Sequence, residues 1–212
     1  MDIVLFGIQG SGKGTQGKII ADKYQMRIFE TGAELRRLAK EDSSLGKKVK
    51  NLIEAGQLVP NEIVMEIIEN FSKDFNKNEK VLFDGIPRKM EQAQSFDKLM
   101  KELNREFVCI LMDISEKEAY RRLTTRRICE ECKSVYPSTY EKEKCEKCQG
   151  KLITRQDDNP ESIKVRLDSY YKETMPVIEY YEKTAKLYKI NGEQKIDKVN
   201  NEIIELLDKI FT

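Results

Sequence analysis

The stretch Gly7-Ile8-Gln9-Gly10-Ser11-Gly12-Lys13-Gly14-Thr15 constrains this chain more than any other segment. The apolar run Ile3-Val4-Leu5-Phe6 leads into it and reads as a buried parallel strand, and a helical stretch from Gln16 to Lys23 follows. A strand, a glycine-rich loop, a lysine and a helix in that order let backbone N–H groups converge on an anion at a helix N-terminus, where the helix dipole adds partial positive charge. Gly10, Ser11, Gly12, Gly14 and Thr15 build such a loop, and Lys13 is placed to reach the outer phosphates of a nucleotide. Gly14 stands where the strict pattern has Ser or Thr, and Thr15 comes one place later. The spacing therefore gives no argument for direct Mg²⁺ ligation by the loop hydroxyl.

Further apolar runs at Met26–Phe29, Val81–Phe83, Phe107–Met112 and Leu187–Ile190 alternate with helical patterns. This alternation predicts an α/β fold with a parallel five-stranded sheet covered by helices on both faces. Pro176 is expected to kink or begin a helix, and Val199–Ile210 reads as a closing amphipathic helix. A chain of 212 residues, 39% hydrophobic, has room for one such domain with small insertions. Residues 30–59, polar and helical with breaks at Gly46 and Gly56, form one candidate insertion, and residues 122–158 form the other.

The charge balance excludes some functions. The chain carries 38 basic and 37 acidic residues, a net charge of +1, which argues against a nucleic-acid sleeve. There is no N-terminal apolar signal region, and no apolar run reaches the ~18 residues of a membrane span, so a cytoplasmic protein without a membrane partner is expected. The chain contains no His, which removes nucleophile activation of the Ser-His-Asp kind. The remaining inventory of Lys, Arg, Asp and bound metal suits phosphoryl transfer, which depends chiefly on positioning and charge neutralisation.

Cys129-x₂-Cys132 and Cys145-x₂-Cys148 are two knuckles separated by 12 residues. Four thiolates with no open ligand position point to a structural Zn²⁺. A nucleic-acid-binding zinc ribbon is disfavoured by the acidic flanks Glu130, Glu131, Glu143 and Glu146. Cys109, within an apolar run, reads as a buried inert thiol. Asp84 closes the run Val81–Phe83, at the strand end where α/β sheets bind ligands. It is a candidate for positioning Mg²⁺ through water, although Asp-Gly is also a turn dipeptide. Arg36, Arg88, Arg122, Arg126, Arg127, Arg155 and Arg166 are candidates for bidentate phosphate contacts.

Taken in order, the loop Gly7–Gln16, Thr31-Gly32 with Arg36, Gly56-Gln57-Leu58-Val59-Pro60, Asp84-Gly85-Ile86-Pro87-Arg88 with Gln92, the four cysteines, and Arg155-Gln156-Asp157-Asp158 with Arg166 resemble the adenylate kinase family in its long form, with a zinc-bearing lid. The resemblance runs over nearly the whole chain. It implies a P-loop NTPase-like fold, the reaction ATP + AMP ⇌ 2 ADP with Mg²⁺, and a monomer. It implies a core of residues 1–29, 60–121 and 159–212, an AMP-binding insertion at 30–59 and a lid at 122–158. Carried over by position, Gly10, Ser11, Gly12, Lys13, Gly14, Thr15, Arg122, Arg126, Val135, Tyr136 and Gln194 would contact ATP. Thr31, Arg36, Gln57, Leu58, Val59, Gly85, Ile86, Pro87, Arg88, Gln92, Arg155 and Arg166 would hold AMP, with Gln92 reading the adenine edge. Lys13, Asp84, Arg88, Arg126, Arg155 and Arg166 would be the catalytic set. The chain departs from the family at Ala33, where Asp is usual, and at Glu30, where a small residue is usual. It also departs at Ile86, where Phe is usual, and in a shorter span between its knuckles. A kinase for another nucleoside monophosphate, or a non-catalytic nucleotide-binding or zinc-ribbon module, are the competing readings.

Overall fold

The computed structural model describes residues 1–211 apart from 74, 77, 78 and 185. Its centre is a five-stranded sheet of β1 (Asp2–Phe6), β2 (Arg27–Glu30), β3 (Val81–Asp84), β4 (Phe107–Asp113) and, last in the chain, β8 (Leu187–Asn191). The spatial order is β2-β3-β1-β4-β8, and every pairing is parallel. All five strands predicted from apolar runs are present, with their ends extended or trimmed by a residue.

Both faces of the sheet are buried, which is why the strands read as continuous apolar runs. Alternate residues go to opposite sides. Val4, Phe6, Phe83, Cys109 and Leu111 pack with Phe29, Phe96, Phe107, Ile178 and Tyr181 on one face. Ile3, Leu5, Leu82, Ile110 and Met112 pack with Ile20, Val199, Ile203 and Leu207 on the other. The first face is covered by α4 (Asn61–Ser72), α5 (Met90–Glu102), α7 (Pro160–Ser169) and α8 (Met175–Lys183). The second is covered by α1 (Lys13–Tyr24) and α9 (Ile196–Phe211). Cys109 is fully buried, and burial pushes its thiol pKa well up, as fits an inert core position. Pro176 lies in the first turn of α8, directly after a π-helical turn, Tyr170–Thr174, that joins α7 to α8 without a break in the helical backbone.

Two excursions leave this core. After β2 the chain forms α2 (Thr31–Leu38) and α3 (Ser44–Glu54), with Ser43 Oγ capping α3 through Gly46 N. After α6 (Glu116–Thr125) it forms a three-stranded antiparallel sheet of β5 (Arg127–Cys129), β6 (Val135–Tyr136) and β7 (Leu152–Ile153), with β5 in the middle. Its apolar interior is small: Cys129, Tyr136, Cys145 and Leu152, with Tyr140 against them. β1 lies between β3 and β4, so the strand order reverses beside the glycine-rich loop, and ligands of open α/β sheets bind at that point.

Candidate active site

The loop between β1 and α1 turns at Gly10 and Gly12, whose φ angles of 87° and 99° lie in the left-handed region that glycine adopts without strain. Gly12 forms the N-cap of α1, and Thr15 and Gln16 N–H groups bond back to its carbonyl. The Lys13 ammonium donates to the carbonyls of Gly7 (2.6 Å) and Ile8 (3.1 Å), folding over the loop. Burial lowers its pKa to about 8; Asp84 opposes that shift, and Arg88 and Arg126 add to it. Asp84, at the C-terminal end of β3, is raised by burial and drawn back down chiefly by Lys13.

Six of the seven arginines singled out from sequence line one cavity with this loop: Arg36, Arg88, Arg122, Arg126, Arg155 and Arg166. Arg126 grips Asp158 with two hydrogen bonds of 2.7 and 2.8 Å, and Arg155 grips Asp157 with two of 2.8 and 2.7 Å. Arg166 bonds Asp158 at 2.8 Å and also donates to the Asp157 carbonyl. Arg88 Nε donates to Gly85 O at 2.9 Å. Burial lowers the pKa of Arg36, Arg88 and Arg126, and the nearby Arg155 adds to the effect on each. Burial raises Asp157, yet Arg155, Arg166 and Arg126 outweigh it and leave the carboxyl below its ordinary range. Cationic side chains outnumber carboxylates around these groups, the condition for attracting several phosphates at once.

One cavity of about 640 Å³ joins these groups. Its walls include Gly10 to Thr15, Thr31, Arg36, Gln57, Leu58, Val59, Asp84, Gly85, Arg88, Gln92, Arg122, Arg126, Val135, Arg155, Arg166 and Gln194. Gly56, with φ 72°, brings the Gln57–Val59 loop against α7; a Cβ there would stand 2.6 Å from the Ser162 carbonyl. Gln92 is buried, and its Oε1 accepts from the Arg88 N–H at 2.8 Å. Thr31 is buried with its hydroxyl unpartnered. Arg122 donates to Gly192 O at 3.0 Å and pairs with Glu118 at 2.7 Å.

Some residues named from sequence lie elsewhere. The Tyr136 side chain points into the interior of the small three-stranded sheet, with its hydroxyl 3.0 Å from Cys145 Sγ, and Pro137, Ser138 and Thr139 line the cavity beside Val135 instead. Ile86 is buried in the core, and neither it nor Pro87 lines the cavity. Arg127 donates to the Tyr140 carbonyl and does not line the cavity. Glu30, Glu118, Arg121, Thr125, Asp157 and Lys195 line the cavity without having been assigned a role from sequence. The Glu118-x₂-Arg121-Arg122 spacing, which lets one carboxylate face two arginines on a helix, was the available signal for the first two arginine partners.

The four predicted cysteines come together, with all Sγ atoms within 4.8 Å of one another and the pairs Cys129–Cys148 and Cys132–Cys145 at 3.4 Å. A tetrahedral ion with Zn–S bonds of ~2.3 Å needs sulfur–sulfur edges of about 3.8 Å, which falls inside that range. The Tyr136 hydroxyl and Ser134 Oγ lie beside Cys145 and Cys132, as outer partners of thiolate ligands do. The donor set fits a structural Zn²⁺.

A phosphate loop at a sheet's switch point, opposed by a cluster of half-buried arginines in one cavity, defines a P-loop phosphotransferase acting on nucleotides. A sequence model of the adenylate kinase family matches residues 5–186. The adenylate kinase of Staphylococcus epidermidis is 37% identical over 215 residues, covering 99% of this chain and 100% of that one. Those of Acetivibrio thermocellus and Archaeoglobus fulgidus are each 36% identical, covering 99% of both chains. The chain belongs to the adenylate kinase family. It is a nucleoside monophosphate kinase, which interconverts ATP and AMP with ADP.

Proposed function

We propose a division of labour within the cavity. The donor ATP lies along the glycine-rich loop, with its phosphates on the N–H groups of Gly10 to Thr15 and on Lys13, and with its base between Arg122 and Gln194. The acceptor AMP lies at the other end, its phosphate between Arg36 and Arg88 and its adenine against Gln57, Val59 and Gln92. Gly85, Leu58 and Thr31 complete that wall. Arg126, Arg155 and Arg166 meet the phosphoryl group in transfer, where charge is spread over its outer oxygens. The observation that carries this reading is the single cavity that holds both sets of residues with the arginines among them.

Phosphoryl transfer leaves the protein little covalent work, so its contribution is in-line placement and a water-excluding site. Residues 30–59 and 122–158 act as covers over the core of 1–29, 60–121 and 159–212, closing on the two nucleotides and opening to release products. On binding, Lys13 turns from the Gly7 and Ile8 carbonyls to phosphate oxygens, and the arginines exchange part of their carboxylate bonding for phosphate. Asp84 is the carboxylate that would orient an ATP-bound Mg²⁺ through water, as suits an ion that keeps its hydration, and the ion would supply neutralisation of the developing charge. The cysteine cluster carries a structural Zn²⁺ that staples a lid too small to hold itself by apolar packing. A thiol cluster of this kind suits a reducing compartment, and we place the protein in the cytoplasm as a monomer.

The test is ADP formation from MgATP with AMP, UMP, CMP and GMP in parallel and a control without acceptor. Turnover with AMP alone supports the acceptor assignment. Turnover with another monophosphate overturns the role of Gln92, and absence of turnover with every acceptor overturns the reading as a whole.

A further inference from the structure

We propose that Glu30 is a competing anion in the acceptor site: its carboxylate holds the Arg36 guanidinium until the acceptor phosphate displaces it, and so sets how tightly the acceptor binds. This rests on the assignment of Arg36 to the acceptor phosphate.

Glu30 is the last residue of β2 and the residue before α2, the position that Ser, Thr, Asp or Asn fills when a helix is capped by a side chain. Glu30 makes no cap hydrogen bond. Its carboxylate instead accepts from Arg36 Nη2 at 3.0 Å, inside the cavity that both residues line. The guanidinium reaches back because Gly32 leaves room for it; a Cβ there would stand 3.0 Å from Arg36 Nη1. In the sheet Glu30 sits in register with Asp84, so the two carboxylates project from the same face of neighbouring strands. Between Glu30 and Arg36 in sequence, the buried Thr31 hydroxyl lines the same wall and has no partner, as expected of a group that waits for a ligand.

The Glu30–Arg36 pair is built to be displaced. Its side chains are 44% and 39% exposed, and pairs so exposed shift an equilibrium by less than about fivefold. A phosphate offers the guanidinium a bidentate, doubly charged partner and recruits Arg88 as well. Once displaced, the carboxylate remains beside the bound phosphate and next to Asp84, so it opposes binding twice: by occupying Arg36 beforehand and by repulsion afterwards.

The experiment titrates AMP directly into the wild-type protein, Glu30→Gln, Arg36→Ala and the double variant, with KM for ATP and a thermal melt as controls for the donor site and the fold. Glu30→Gln is expected to tighten AMP binding by about three- to tenfold, with KM for ATP within about twofold of wild type. Arg36→Ala is expected to weaken AMP binding, and in its background Glu30→Gln should lose most of its effect. Unchanged or weaker AMP binding by Glu30→Gln, while Arg36→Ala still weakens it, overturns the proposal and leaves the acceptor assignment standing. Unchanged AMP binding by Arg36→Ala overturns the assignment itself.

Discussion

Arg126 and Asp158 form a two-bond ion pair of 2.7 and 2.8 Å in which the carboxylate is wholly buried and is shared with Arg166. The pair ties the junction of α6 and β5 to the start of α7. It also keeps two cations aligned toward the phosphate loop in the absence of nucleotide.

Asp158→Ala leaves both arginines without that partner. Removing one member of a buried pair costs about 3–5 kcal/mol, which at this size corresponds to a fall in Tm of roughly 10 °C. Misaligned arginines lower kcat by about 10²-fold. Thermal melts and steady-state rates at a temperature where the variant is folded measure the two effects separately, and loss of stability with kcat intact would mean that Asp158 only holds the fold.

Lys13 must be charged to neutralise phosphate, and its pKa in the free protein is lowered to about 8 by burial. The charged form is present below that pH and lost above it. The expected profile of kcat/KM for MgATP falls about tenfold per pH unit above the break, whereas kcat holds to higher pH because bound phosphate favours the ammonium. Lys13→Arg, whose charge does not titrate, should remove the break whatever its residual rate. A profile flat to pH 10 in the wild type would contradict the assignment.

If the four cysteines hold the proposed Zn²⁺, chelation should lower Tm while leaving turnover at mild temperature close to that of the loaded protein, since the cysteines do not line the reaction cavity. Elemental analysis of protein purified without added metal is expected to return about one zinc per chain. Cys129→Ser, at a buried ligand position, should reproduce the loss of stability.

Arg105 supplies a control remote from the cavity. It bonds both Asp2 oxygens at 2.7 Å, and Asp2 in turn accepts from Val81 N at 2.9 Å, pinning the starts of β1, β3 and β4 together. Arg105→Ala should cost about 3–5 kcal/mol of stability with KM for both nucleotides unchanged. A shift in either KM would show that strain at the base of the sheet reaches the site.

Much of this was legible because it is local. The loop from Gly7 to Thr15 carries its conformation in its own glycines, and the Cys-x₂-Cys spacings carry the knuckles. The five apolar runs became the five strands because a sheet buried on both faces needs no polar residue to interrupt them. The destination of Tyr136 was less legible. Its position beside Val135 says only that the two side chains point to opposite faces of β6, and the burial of one ring in a small lid core decided which faces the cavity. Asp157 and Asp158 could be named as a motif, yet their partners lie on three segments: Arg155 beside them, Arg126 at the end of α6 and Arg166 along α7.

By itself the sequence determined the phosphate loop, the two Cys-x₂-Cys knuckles, the α/β alternation and the charge inventory of the site, because each is read from residue types and local spacing without knowing which distant segments meet. Tertiary structure alone decided which arginine pairs with which carboxylate, that Glu30 closes on Arg36, and that Gln57 to Val59, Asp84, Arg88, Gln92 and Pro137 to Thr139 border one cavity. Some of these contacts join distant positions, as Arg126 and Asp158 do, and others join near neighbours, as Glu30 and Arg36 do, but the energies of all of them depend on burial and distance, neither of which exists until the sheet has ordered its strands.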